Sequence, residues 1–238
     1  VDWHCSHHHR CFINWGGKLK VLSLGGSMVV PDAINTEFLK QMRDIIMKDD
    51  ERFIIVVGGG ATCRKYQQAA KEIFHPSQED LDWIGIAATR LNAELVKYLF
   101  KDFAHPEVMT NPHANIQFRE KVLVASGWKP GFSTDYDALV LAKRFDADTI
   151  INITNVPYVY DKNPRDHPDV KPLKEMSWEE LRGIVGDTWD PGMNAPFDPI
   201  AAEFAQKSSL IVNILGPDIE NLKKCLAGLP WEGTTIQG

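Results

Sequence analysis

The run Phe53-Ile54-Ile55-Val56-Val57 is apolar at every position and stops on Gly58-Gly59-Gly60. Five apolar residues without alternation leave no solvent face, so a strand made from them is covered on both sides, as in a parallel sheet between two helical layers. Three glycines where the chain leaves the sheet remove every side chain there, so a ligand or a second backbone can approach the main chain closely.

The same form recurs along the chain. Residues 18–24 read as a strand ending in Gly25-Gly26-Ser27, residues 121–125 open into Gly127-Trp128-Lys129-Pro130-Gly131-Phe132-Ser133-Thr134, and residues 149–153 form a further apolar strand. Helical patterns alternate with them: about 36–47, a helix with Arg64 and Lys65 in its first turns, a long helix to about 100 with Ser77 as N-cap and Asp80 three residues on, and one beginning near Asp135. Pro157, Pro164, Pro168 and Pro172 restrict the next stretch to turns and short extended pieces, and a change of lobe is expected there. Ser177 and Glu180 form a capping-box pattern for a helix ending near Val185, and residues 201–206, 210–215 and 219–226 read as helix, strand and helix. This alternation predicts an α/β fold, a three-layer αβα sandwich around a mostly parallel sheet.

A chain of 238 residues is long enough for one substantial core without disulfides. Its net charge of −6 offers no basic surface to a nucleic-acid backbone, so no nucleic-acid partner is expected. No apolar run reaches bilayer length, and neither a membrane span nor a secretory signal is read; a cytoplasmic protein is the expectation. Four cysteines, at 5, 11, 63 and 225, are too sparse for a disulfide framework and suit free thiols in a reducing compartment. Residues 1–17 differ in composition from the rest. Cys5, His7, His8, His9 and Cys11 resemble a small metal cluster, but the missing initial Met, the three-His run and Gly16-Gly17 favour a tag-derived or disordered extension.

Unpaired amides and a positive helix end bind phosphate where a strand gives way to a helix. Gly25-Gly26-Ser27 alone is as compatible with a tight turn as with a ligand loop. Gly58-Gly59-Gly60 followed by Arg64 favours a phosphate site, with backbone donors and a fixed charge on one side of a cleft. Lys129, Ser133 and Thr134 offer charge and hydroxyls at a third helix start, where an ordinary cap is the simpler alternative. No loop carries the Walker A lysine pattern or the G-x-G-x-x-G dinucleotide fingerprint, which removes support from P-loop NTPases and Rossmann dehydrogenases.

From Lys18 to Gly238 the chain resembles the UMP kinases of the amino-acid-kinase superfamily, most closely the archaeal type. The resemblance rests on Ser23-Leu24-Gly25-Gly26-Ser27, the triple glycine leading to Arg64-Lys65-Tyr66, residues 84–93 (IGIAATRLNA) and Pro130-Gly131-Phe132-Ser133-Thr134-Asp135. Thr154-Asn155-Val156, Val159-Tyr160, Asp198-Pro199-Ile200-Ala201-Ala202 and Gly233-Thr234-Thr235-Ile236 extend it. It implies a carbamate-kinase-like fold with an acceptor-binding lobe over about 18–148 and an ATP-binding lobe over about 149–238.

The resemblance further implies in-line transfer of the ATP γ-phosphoryl group to UMP, with Mg²⁺ accompanying ATP. ATP would lie near Gly25, Gly26, Ser27, Gly60, Arg64, Thr154, Tyr160 and Asn163, and UMP near Gly59, Asp82, Trp128, Lys129, Pro130, Gly131, Phe132, Ser133 and Thr134. Arg90 and Asn92 would support the acceptor wall. Arg64 and Asp198 are the catalytic candidates, with Asp198 equally readable as a helix start; no metal ligands are assigned. A homo-oligomer, a hexamer by resemblance, is implied, with the long helix as a candidate interface. The chain departs from the family in carrying Ser23 for a common Lys, Pro157-Tyr158 for Asp-Gly, and Asn163 for Asp. Two alternatives remain open on sequence: another small-acid or phosphate kinase of this fold, or a noncatalytic nucleotide- or oxyanion-binding protein.

Overall fold

A computed structural model describes residues 17–162, 167, 169–186 and 196–238. The extension expected over 1–17 lies, apart from Gly17, outside the described residues, as does Asn163.

Strand β1 (Leu19–Leu24) is followed by the one-turn helix α1 (Gly26–Val29) and helix α2 (Thr36–Lys48); β2 (Arg52–Val57) is followed by α3 (Gly60–Ile73) and α4 (Gln78–Phe100). β3 (Val122–Ala125), α5 (Thr134–Arg144) and β4 (Thr149–Ile153) come next. Short strands β5 (Val159–Tyr160), β6 (Pro172–Leu173) and β7 (Glu175–Met176) lead to α6 (Trp178–Val185) and α7 (Pro199–Lys207). β8 (Ile211–Leu215), α8 (Ile219–Leu226) and β9 (Thr234–Ile236) close the order.

Seven strands form one sheet in the order β3-β2-β1-β4-β8-β9-β7. β1 pairs in parallel with β2 on one side and β4 on the other, and β9 runs antiparallel to β8. Strand side chains alternate between faces, which sorts the apolar residues into two cores. Val21, Ile54, Val56, Leu123 and Ile150 meet α5, α6 and α7; Leu22, Leu24, Phe53, Ile55 and Val57 meet α1, α2, α4 and α8. The three layers and the parallel centre match the reading of the sequence. β9 and the paired short strands were not foreseen, because two- and three-residue strands carry no readable periodicity.

The helices begin where their capping residues lie. Ser77 and Ser177 each form a capping box, with Asp80 and Glu180, and Asn35, Ser133, Asp198 and Asp218 each accept an amide of their own first turn. At the opposite end of the sheet from the glycine loops, buried Lys121 donates to the carbonyls of Asp49 and Glu51. Burial pushes its pKa down. Among the described residues no helix is long and apolar enough to cross a membrane.

Candidate active site

The sequence leaves β1 toward β2 and returns through β4 on the other flank of β1. A crevice therefore opens at the carboxyl ends of these central strands, the place where open parallel sheets bind ligands. Around it lie the loops that follow β1, β2, β3, β4 and β8.

The loops after β1 and β2 are locked backbone to backbone. A Cβ on Gly26 would stand 1.9 Å from the Gly60 amide nitrogen, and one on Gly58 would stand 2.5 Å from Gly26 N. Gly60 has φ +62, a left-handed conformation that glycine adopts without steric cost. The amide of Ala61 donates to Val30 O at 2.8 Å, tying α3 to the end of the first loop. Among described helices of eight residues or more, α3 alone has no side-chain N-cap: Gly59 occupies that position. A helix start without a side-chain cap is of the kind that binds anions. Arg64 is exposed one turn along, tethered by a long 3.4 Å contact to Pro31 O.

Helix α4 holds two of these loops from one face. Asn92, 4% exposed, donates to Gly58 O at 2.9 Å and Gly59 O at 3.0 Å. One turn earlier Thr89 accepts the Gly127 amide at 2.9 Å. Asp82 accepts from Gly131 N at 2.8 Å, so the acidic residue expected near UMP fixes the tip of the third loop. Arg90, expected to support the same wall, is exposed instead, on the outer side of α4.

Beneath the third loop lies a group of carboxyls that sequence reasoning mostly missed. Ser23 on β1 donates to Asp135 Oδ1 at 2.8 Å, and Asn152, its register neighbour on β4, donates to the same oxygen at 3.2 Å. Ser133 donates to Asp198 Oδ2, and Asp198 Oδ1 accepts Ile200 N at 2.8 Å. Asp198, 3% exposed, therefore both caps α7 and joins the site, so its two readings are compatible. Asp137 Oδ2 accepts Trp128 N at 3.1 Å.

Burial is the main force on all three acids. It pushes the Asp135 carboxyl up to about 6 and the Asp137 carboxyl up to about 8, and raises Asp198 as well. Asp135 as a residue keeps some exposure, but its carboxyl is enclosed. Mutual repulsion within the trio adds to the rise for Asp135 and Asp137, against the hydrogen bonds that favour ionisation. A serine in the middle of β1 and an asparagine in β4 were the available signal, since a polar side chain in an apolar strand needs a partner.

The third loop is aromatic. Trp128 and Phe132 have ring centroids 5.2 Å apart, Phe132 and Tyr136 4.6 Å, and Tyr136 and Phe204 of α7 5.2 Å. Lys129 Nζ sits 4.0 Å from the Trp128 ring centroid and 5.1 Å from that of Phe132, so its charge is held over these rings. Pro130 and Thr134 are half-buried within the same loop, and Ser133 is buried.

Across the crevice, Thr154 N donates to Leu215 O at 2.9 Å, while Gly25 N donates to Ile153 O at 2.9 Å. Tyr160 and Tyr158 form an edge-on pair with centroids 6.4 Å apart. Gly216 lies against Pro157, so the residues that replace the family's Asp-Gly pack onto the end of β8. The structure thus gathers Gly25, Gly26, Ser27, Gly59, Gly60 and Arg64 at the interlocked loops. Asp82 and residues 128–134 form one wall, and Asp198 closes the floor. Among described residues no three His, Cys, Asp or Glu side chains converge as a metal site.

An uncapped helix start, two interlocked glycine loops and a crevice at the carboxyl ends of a parallel sheet define an α/β protein built to hold anionic ligands. The chain belongs to the amino acid kinase family, whose model matches residues 18–215. It is 36% identical over 224 residues to the uridylate kinase of Pyrococcus abyssi, covering 91% of this chain and 98% of that one. The crystal structure of uridylate kinase from Archaeoglobus fulgidus superposes with a TM-score of 0.77 at 32% identity, over 92% of this chain and 100% of that one. UMP kinase from Bacillus anthracis shares the fold, with a TM-score of 0.72 at 18% identity over 92% of this chain and 96% of that one.

Proposed function

We propose that this chain is a UMP kinase, transferring the γ-phosphoryl group of ATP to UMP to give UDP, a step of pyrimidine nucleotide synthesis in the cytoplasm. The observation that carries this reading is the uncapped start of α3 beside the interlocked Gly26 and Gly58–Gly60 loops, at the sheet's switch point. Similarity to archaeal uridylate kinases over most of the chain supports UMP as the acceptor.

In this reading Gly25, Gly26, Ser27, Gly60 and Arg64 hold the ATP phosphates, with Thr154, Tyr160 and Asn163 around the nucleoside. Gly59, Asp82 and residues 128–134 hold UMP. The acceptor lobe corresponds to about 18–148 and the donor lobe to about 149–238. Phosphoryl transfer asks the protein to align two anions and to offset charge spreading over the transferred group, so no covalent nucleophile is required. Amides at the start of α3 and the Arg64 guanidinium supply that charge. Mg²⁺ arrives with ATP as the MgATP substrate, in keeping with a cation that binds phosphate oxygens and retains its waters. Asp198 orients Ser133 at the acceptor side; an Asp198→Asn variant with unchanged turnover would remove it from the mechanism.

Homo-oligomer formation, up to a hexamer, fits the outer face of α3 and α4. There Tyr66, Ile73, Trp83, Leu91, Leu95 and Tyr98 are exposed on neighbouring helices. Along α4, Leu91, Leu95 and Tyr98 follow one another at four and three residues, with Trp83 about two turns earlier on the same helix, and sedimentation tests whether this face is covered.

The test of the function is ADP release with MgATP and a panel of acceptors: UMP, CMP, AMP, GMP, acetylglutamate and isopentenyl phosphate. UMP is expected to give the highest kcat/KM. Preference for a small acid would move the chain to another branch of the family, and UMP binding without ADP release would make it a noncatalytic binder.

A further inference from the structure

Asp137 is 1% exposed, and no other part of the mechanism uses it. One carboxyl oxygen accepts the Trp128 amide at 3.1 Å, at the start of the acceptor loop, while Oδ1 is buried without a hydrogen-bond partner. Asp135 and Asp198 bear on it electrostatically, and the Tyr136 phenol responds to it in turn.

Among the described residues no cation answers these acids. β1 and β2 carry their single charged residues, Lys20 and Arg52, near their amino-terminal ends, away from the start of α5, and β4 carries none. Lys207 on α7 pairs with Glu203, Lys143 and Arg144 lie at the far end of α5, and Lys129 is turned onto the rings of Trp128 and Phe132. Asp82, on the far side of the loop, is held by Gly131 N.

A third negative charge here has neither a counter-ion nor a donor for its free oxygen, so the neutral acid is the form that fits the pocket. We propose that Asp137 is a positioning residue and a proton-dependent latch: as the neutral acid it leaves Trp128 and the acceptor loop seated, and as the carboxylate, still bonded to Trp128 N, it draws them out of place and opposes the acceptor phosphate. The raised pKa of its carboxyl agrees with this, placing ionisation at about pH 8. An ionised Asp137 must reach water or a cation, and Trp128 moves with it. Its charge also adds to those of Asp135 and Asp198 beneath the site of a dianionic phosphate.

The inference rests on UMP being the acceptor, and the experiment separates the two. UMP affinity and KM are measured on the full chain with MgATP between about pH 7 and pH 9. Above the ionisation of Asp137, KM for UMP is expected to rise by up to about tenfold per pH unit, the limiting slope for one proton, with a smaller change in kcat.

Asp137→Asn keeps an acceptor oxygen for Trp128 N and has no proton to lose. Its KM at pH 9 is expected to lie within about twofold of its own value at pH 7. Asp137→Leu, lacking the acceptor oxygen, is expected to raise KM at pH 7 by about tenfold while kcat changes less. If the asparagine variant folds poorly, calorimetry on the unaltered chain suffices: UMP binding near pH 8.5 is expected to take up a proton, read from buffers of different ionisation heat. An alkaline rise that persists in Asp137→Asn, or pH-independent UMP binding without proton uptake, overturns the latch alone. No UMP binding at pH 7 overturns the acceptor assignment and the latch with it.

Discussion

A methyl group added at Gly26 strikes the interlocked loops directly. Its Cβ would meet Gly60 N at 1.9 Å, Gly59 N at 2.6 Å and Gly58 C at 2.7 Å, all backbone atoms that no rotamer change can move. Ordinary contact begins at 3.4 Å, so relieving the 1.9 Å approach requires the loops to part by about 1.5 Å, the difference of the two distances. Overpacking of this kind costs about 1–3 kcal/mol, and each kcal/mol lowers Tm by about 2–4 °C in a chain of this size. The effect on chemistry is larger, because a misplacement of about 1 Å at reacting groups costs about a hundredfold in rate. Gly26→Ala is therefore predicted to remain folded with kcat reduced about a hundredfold. Gly183→Ala is the control: a Cβ there meets nothing within 4 Å, in the interior of α6, and alanine should stabilise the chain by about 0.5–1 kcal/mol with turnover unchanged. Thermal unfolding and initial rates of ADP release measure both variants. A folded Gly26→Ala protein with turnover within about twofold of the unaltered chain would refute the claim that this contact sets the phosphate geometry.

Other expectations follow from single contacts. Arg64→Ala should lower kcat by about a hundredfold while leaving Tm nearly unchanged, since Arg64 is exposed; equal activity would contradict its role at the phosphates. Asn92→Leu leaves the Gly58 and Gly59 carbonyls without their donor, at about 1–3 kcal/mol each at most, and urea unfolding should register a loss of at least 1 kcal/mol. Lys121→Ala removes the donor to the Asp49 and Glu51 carbonyls and opens a cavity, so a loss of about 3 kcal/mol or more is expected with little change in KM. Asp135 is an acid whose folded-state pKa is raised. It favours the folded state below its unfolded value, and that advantage is lost as pH rises from about 4 to about 6. Asp135→Asn should flatten this part of the stability profile and stabilise the chain at pH 7 by up to about 3 kcal/mol, as read by thermal unfolding across pH.

The glycine half of the site was legible in the sequence because its cause is local. An apolar run ending in glycines tells where a buried strand stops and where a backbone lies bare, and Ser77, Ser133 and Ser177 announce their helices by cap chemistry. Asp198 was visible as a helix start, and only the fold reveals that its other oxygen takes the Ser133 hydroxyl 65 residues away in sequence. In the sequence Asp135 marked the start of a helix and Asp137 carried no reading of its own, because acids in a first turn favour a helix start wherever they fall. Their proximity to Asp198 depends on α5 and α7 packing together, which no local pattern encodes. The missing cap on α3 was also hidden, because a glycine run gives the same sequence signal whether its amides are satisfied or left for a ligand. α4 was read as a long helix suited to an interface, while the exposure of Tyr66 and Ile73 beside it on α3 required the pairing of the two helices.

In the proposed reaction, one crevice at the carboxyl ends of β1, β2 and β4 brings ATP and UMP together for direct transfer. Single-turnover reaction of γ-³²P-labelled ATP with UMP and Mg²⁺, quenched and resolved by chromatography, tests it most directly. Label is expected in UDP at the β position, appearing as ATP is consumed and without a labelled protein species. Label released as inorganic phosphate, retained on the protein, or carried by an acceptor other than UMP would contradict it.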